Sequence, residues 1–150
     1  MAKAAAVVGP HDADGRVYGL AEQVGRLLGR EGWVVFTGGL GGVMEAASKG
    51  ARESGALTVG ILPGGDTSEA NAYVQVPVAT GMGEARNLVL IRSVDVVIGV
   101  GKGYGTLSEI AFGLRLGKRV ILLESWQEVG SEAIVVSSPE EAMNAASGTL

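Results

Sequence analysis

Short runs of apolar, mostly β-branched residues alternate along the chain with longer stretches in which apolar positions recur every three or four residues. Residues 4–8, 33–37, 57–62, 96–100, 120–123 and 133–136 read as strands. Residues 74–78 alternate weakly, and Pro77 predicts a short or edge strand there. Helical spacing follows at Val17, Leu20, Ala21, Val24, Leu27 and Leu28, with Asp14 placed to cap and Gly29 or Gly32 to stop the helix. It returns at Val43, Met44, Ala46, Ala47 and Ala51, then over 84–94, where Ala85, Leu88, Val89 and Arg92 share a face. Leu107, Ile110, Ala111 and Leu114 mark a fourth helix. The run Ser138-Pro139-Glu140-Glu141 opens a fifth with a cap, a first-turn proline and a capping-box glutamate. Residues 66–72 have no clear period and are expected to form a mobile loop.

Strands alternating with helices across short loops predict an α/β fold: a mostly parallel, doubly wound sheet with helices on both faces. The length of 150 residues fits a single domain over 1–150 that buries roughly 70% of its unfolded surface. In such sheets ligands bind outside the carboxyl ends of the strands.

Composition narrows the chemistry. Aromatics are only 5% against 47% hydrophobic residues, so the core must be aliphatic and alanine-rich. The 25 glycines cluster after apolar runs and therefore signal tight turns. A net charge of −4 without a Lys/Arg cluster argues against a nucleic-acid polymer or an anionic membrane as partner. Without cysteine there is no disulfide or thiolate chemistry, and the lone His11 cannot build a His-rich metal site, so no metal site is expected. The short apolar run before Gly9-Pro10 is too brief for a signal-peptide core, and no run reaches membrane-spanning length. A soluble, cytoplasmic protein is the expectation.

Two strand–turn–helix units carry the candidate chemistry. In the first, Gly38, Gly39, Gly41 and Gly42 crowd around Leu40 and lead through Val43 to Met44. In the second, Gly99, Gly101, Gly103 and Gly105 alternate with Val100, Lys102 and Tyr104 before Thr106. Turns nearly free of Cβ atoms let an anion approach the main chain at the positive end of a helix dipole. Glycines also simply make such turns tight, and that reading stays open for the first unit. The second is not a Walker A loop, because Lys102 precedes Gly103 and not Ser or Thr. It loosely fits a dinucleotide fingerprint, with Glu124 ending the next strand about 20 residues on, where an acid binds a ribose. Thr106 and Glu109 have the spacing of a capping box; alternatively Glu109 acts on a ligand's sugar. Arg86 and Asn87 open the preceding helix near the same edge, where an arginine binds phosphate in bidentate fashion or lies solvated.

At these residues the chain resembles the Rossmann-like superfamily once labelled lysine decarboxylase-like. That superfamily includes the cytokinin-activating phosphoribohydrolases of the LOG family and the molybdenum cofactor carrier proteins. The matching blocks are Gly38-Gly39-Leu40-Gly41-Gly42-Val43-Met44, then Gly83-Glu84-Ala85-Arg86-Asn87 with Asp95 beyond, then Gly103-Tyr104-Gly105-Thr106-Leu107-Ser108-Glu109. The resemblance implies a ligand phosphate held by Gly38, Gly39, Gly41, Gly42, Met44, Arg86, Asn87, Gly101, Lys102, Gly103, Gly105 and Thr106. In a hydrolase, Arg86 and Glu109 would be catalytic. Two departures set the chain apart from the hydrolases: Asn87 stands where they have lysine, and Gly101-Lys102-Gly103 replaces their Pro-Gly-Gly; of these, the Ala85-Arg86-Asn87 form resembles the carrier branch. The segment Ile61-Leu62-Pro63 is also similar to that branch, whereas Lys102 is unusual for either group.

The first expectation is therefore a binding protein for a phosphorylated, nucleotide-like small molecule, with the molybdenum cofactor as a candidate ligand and no cofactor required for itself. The alternative is a phosphoribohydrolase that splits the N-glycosidic bond of a nucleoside monophosphate. A dinucleotide-dependent oxidoreductase using Glu124 is a weaker third reading. Lysine decarboxylation is not expected, since no pyridoxal-phosphate site is recognisable. The resemblance further implies a homodimer or higher homo-oligomer.

Overall fold

The computed structural model describes residues 2–149. Seven strands, β1 (Ala4–Val8), β2 (Val34–Thr37), β3 (Thr58–Leu62), β4 (Val76–Ala79), β5 (Val96–Val100), β6 (Arg119–Leu123) and β7 (Ile134–Val136), form one sheet. Five α-helices occur among the described residues, four between strands and one after β7: α1 (Gly15–Arg30), α2 (Val43–Glu53), α3 (Arg86–Arg92), α4 (Tyr104–Arg115) and α5 (Pro139–Ser147). Every ladder is parallel, in the order β4-β3-β2-β1-β5-β6-β7. This is the expected α/β, Rossmann-like architecture.

The central strands β1 and β5 carry no polar side chain because both faces of the sheet are covered. Ala5, Val7, Val96, Ile98, Val100, Ile121 and Leu123 pack into one core with residues of α1, α2 and α5. Their neighbours Ala6, Val8, Val97, Val120 and Leu122 pack into a second core with residues of α3 and α4. The small side chains let helices approach closely. A Cβ on Gly25 would lie 2.1 Å from the Ala47 carbonyl oxygen, and one on Gly50 2.0 Å from that of Glu22, so α1 and α2 cross backbone to backbone.

Three boundaries differ from the sequence expectation in instructive ways. The helix expected from residue 84 begins as a 3-10 turn over Gly83–Ala85 and becomes α-helical only at Arg86. Residues 66–72, expected to be a mobile loop, contain a 3-10 turn over Thr67–Glu69 in which Asp66 Oδ1 accepts from Ser68 N at 2.8 Å. Helix α4 begins at Tyr104, so Thr106 and Glu109 lie inside it and, of their two readings, the capping box does not form. Among the described residues no helix is long and apolar enough to cross a membrane.

Candidate functional site

From β1 the chain moves outward through β2, β3 and β4, then returns to β5 on the other side of β1. The order reverses between β1 and β5, and a crevice at the carboxyl ends of such strands is where open α/β sheets bind ligands. A cavity of about 580 Å³ lies there. Its wall combines Pro10 and His11 after β1, Leu40 and Met44 after β2, Pro63 after β3, Arg86 and Asn87 of α3, and the turn from Lys102 into α4.

Helix capping separates this region from the rest. Neither capping residue of the other two helices lines the cavity: α1 is capped by Asp14, whose carboxylate accepts from Val17 N, and α5 by Ser138, whose hydroxyl accepts from Glu141 N. The helices that border it, α2, α3 and α4, have no side-chain cap. First-turn N–H groups have no partner within their own helix. For α2, Val43 N finds one in the Pro10 carbonyl at 3.1 Å. At α4, Gly103, Tyr104, Gly105 and Thr106 all line the cavity. That uncapped end can receive an anion.

The two glycine turns are built differently. In the first, Gly39 and Gly42 take φ values of 81° and 63°. A Cβ on Gly42 would sit 2.3 Å from the carbonyl oxygens of Pro10 and His11. This glycine lets the loops after β1 and β2 touch. Thr37 Oγ1 accepts from Gly39 N at 3.0 Å, and Asn71 Nδ2 donates to the carbonyls of Gly39 and Leu40 at 3.2 and 2.8 Å. The segment 66–72 is thus a fastener for the first turn. In the second turn, Trp126 Nε1 donates to the Gly103 carbonyl at 2.9 Å, while nothing lies within 4 Å of a Cβ placed on Gly105.

Arg86, Asn87, Thr106 and Glu109 are all buried, and all line the cavity. Arg86 Nε donates to the Ile61 carbonyl at 2.8 Å, Nη2 to the Gly38 carbonyl at 3.4 Å, and Nη1 to Asn87 Oδ1. The guanidinium is a crosslink between the ends of β2 and β3. Burial lowers its pKa, against the pull of Glu109 and Glu84. Burial also pushes the Glu109 carboxyl up to about 7, and the charge of Arg86 only partly offsets it. A carboxyl poised there can hold or release a proton near neutrality.

Of the residues singled out from sequence, Met44, Arg86, Asn87, Lys102, Gly103, Gly105, Thr106 and Glu109 line one cavity. Gly38, Gly39, Gly41, Gly42 and Gly101 stand outside its lining and shape the turns. Lys102 Nζ pairs with Glu128 Oε2 at 2.7 Å and lies 5.2 Å from the centre of the Trp126 ring. Sequence reasoning missed Gly9, Pro10, His11, Asp12, Leu40, Pro63, Glu84 and Tyr104 as lining residues. The available signal was Gly9-Pro10 directly after the first strand. Pairing β1 with β5 would have placed that loop at the crevice.

The family model for LDcluster4, described as the SLOG cluster4 family, matches residues 2–147. An uncharacterised protein of Archaeoglobus fulgidus is 45% identical over 139 residues, 92% of this chain and 90% of its own length. The solved molybdenum cofactor binding protein of Rippkaea orientalis is 38% identical, with a TM-score of 0.93 over 99% of this chain and 97% of that one. The Moco carrier protein of Chlamydomonas reinhardtii is 32% identical, with a TM-score of 0.91 over 99% and 98% of the two chains.

Proposed function

The chain belongs to the SLOG cluster4 family, and from that premise we propose that it binds a phosphorylated, nucleotide-like small molecule, with the molybdenum cofactor the leading candidate. The carrying observation is the uncapped start of α4 opening onto the crevice between β1 and β5. The first-turn amides of α4 and the hydroxyl of Thr106 hold the phosphate. Arg86 adds positive charge from α3, and the remainder of the cavity receives the ring system. The likeness to the Rippkaea orientalis and Chlamydomonas reinhardtii proteins supports the choice of cargo.

The test is equilibrium binding of molybdenum cofactor released from a purified molybdoenzyme, compared with Gly105→Asp. That substitution meets open space and so leaves the fold intact, while it sets a carboxylate at the phosphate position. Saturable one-to-one binding that weakens at least tenfold in the variant is expected. Binding that ignores the variant sinks the proposal.

A second reading rests on Glu109, whose buried carboxyl lies near neutrality in the same cavity as Arg86. In that reading Glu109 assists attack of water on the anomeric carbon of a nucleoside 5′-monophosphate, and Arg86 balances the developing charge. Release of free base from AMP, abolished in Glu109→Gln, would establish it. No base release alongside saturable cofactor binding would leave the carrier reading.

A further inference from the structure

We infer that the chain has a second subsite, at the carboxyl ends of β6 and β7, that takes a ribonucleoside joined through phosphates to the unit in the first cavity. The inference rests on the reading of that first cavity as a phosphate site. A separate cleft of about 480 Å³ opens there, lined by Leu122, Glu124, Ser125, Gln127 and Val135. Lys102 borders both cavities, so a cation stands where a phosphate bridge would cross from one to the other.

The topology assigns the roles. Read from one edge, β7-β6-β5-β1-β2-β3 has the strand arrangement of a dinucleotide fold, with the reversal between β5 and β1. In that arrangement the strand next to the glycine turn ends in an acid that binds the ribose diol. Here that strand is β6, and the acid following it is Glu124.

Two local features single out the same spot. Glu124, at φ 52°, is the one non-glycine residue with positive φ among the described residues. Such strained backbone collects at ligand sites. Its carboxylate is oriented by Arg16, which donates from Nε and Nη2, and still has lone pairs for two ribose hydroxyls. Next to it, Ser125 is 5% exposed, and its hydroxyl is the one buried side-chain polar atom without a partner among the described residues. Val135, 54% exposed on the outermost strand, gives the base an apolar surface.

The protein is titrated with AMP, with diadenosine diphosphate and with the 2′-deoxy form of that dinucleotide. The dinucleotide is expected to bind at least tenfold more tightly than AMP, and the deoxy form to lose most of that gain. Glu124→Ala and, separately, Val135→Trp, which fills the cleft from an exposed position, are expected to bring the dinucleotide to the AMP level with AMP unchanged. AMP binding without a dinucleotide gain, or a gain that survives both variants, overturns the subsite and leaves the first cavity standing. Failure of all three probes to bind overturns the subsite, and the molybdenum cofactor titration then decides the first cavity by itself.

Discussion

Glu109 sits where its charge is poorly solvated, and that makes stability depend on pH in a defined direction. Its ordinary value is 4.5, but inside the fold it keeps its proton up to about 7. The unfolded chain therefore releases this proton first. Through this group, stability is fully present below pH 4.5 and declines as pH rises towards 7, levelling off about 3 kcal/mol lower. Denaturant unfolding of Glu109→Gln should remove that decline, so the variant matches the wild type at pH 4 and exceeds it at pH 8. A wild-type curve flat over this window would refute the assignment. The same ionisation places a negative charge beside a bound phosphate. Affinity for AMP should consequently drop between pH 6 and 8 more in the wild type than in Glu109→Gln, measured in parallel titrations.

At the scale of the element, α4 gives up local stability at its start. Gly103 holds the cap position with extended backbone, φ −167° and ψ 157°, which any residue adopts. A Cβ there would make only ordinary contacts, the nearest at 3.4 Å from Thr106 Oγ1. Gly103→Ser should therefore cap the helix and raise stability by about 0.5–1 kcal/mol. Because the new hydroxyl occupies first-turn amides, AMP affinity should fall. A calorimetric melt paired with a binding titration checks both signs, and a gain in both measurements would contradict the role given to those amides. A different device governs α2, whose approach to α1 depends on Gly25 and Gly50. Gly50→Ala would press a Cβ against backbone at 2.0 Å. It should cost about 1–3 kcal/mol in chemical denaturation. The positions of these helices were legible from apolar spacing alone. Their starts were less so: Thr106 and Glu109 have capping-box spacing, yet the start of α4 is fixed upstream, where Trp126 bonds the Gly103 carbonyl from 23 residues away in sequence. Residues 66–72 misled for a similar reason, since Asn71 owes its place to bonds with Gly39 and Leu40.

For the whole molecule, the alternating pattern made the parallel sheet and its two covered faces readable, because a strand buried on both sides must be apolar throughout. Strand order was not readable, and the cavity depends on it. Only the return of β5 beside β1 carries Pro10 and His11 to the turn that holds Lys102 and Gly103. The wall thus joins residues from chain segments lying on both sides of the reversal. One arm of the sheet supplies Leu40, Met44 and Pro63, and the other supplies Lys102, Gly103 and Thr106. A ligand that bridges the arms binds the folded chain and not the unfolded one, so at a hundredfold excess over its Kd it should add about 2.7 kcal/mol to the free energy of unfolding. Hydrogen exchange with and without saturating AMP locates that gain. Protection should rise together in the amides after β2 and in those opening α4, since both contribute to one wall. If it rises around α4 alone, the ligand reaches no further than the phosphate turn, and the crevice between β1 and β5 does not unite the two arms around one ligand.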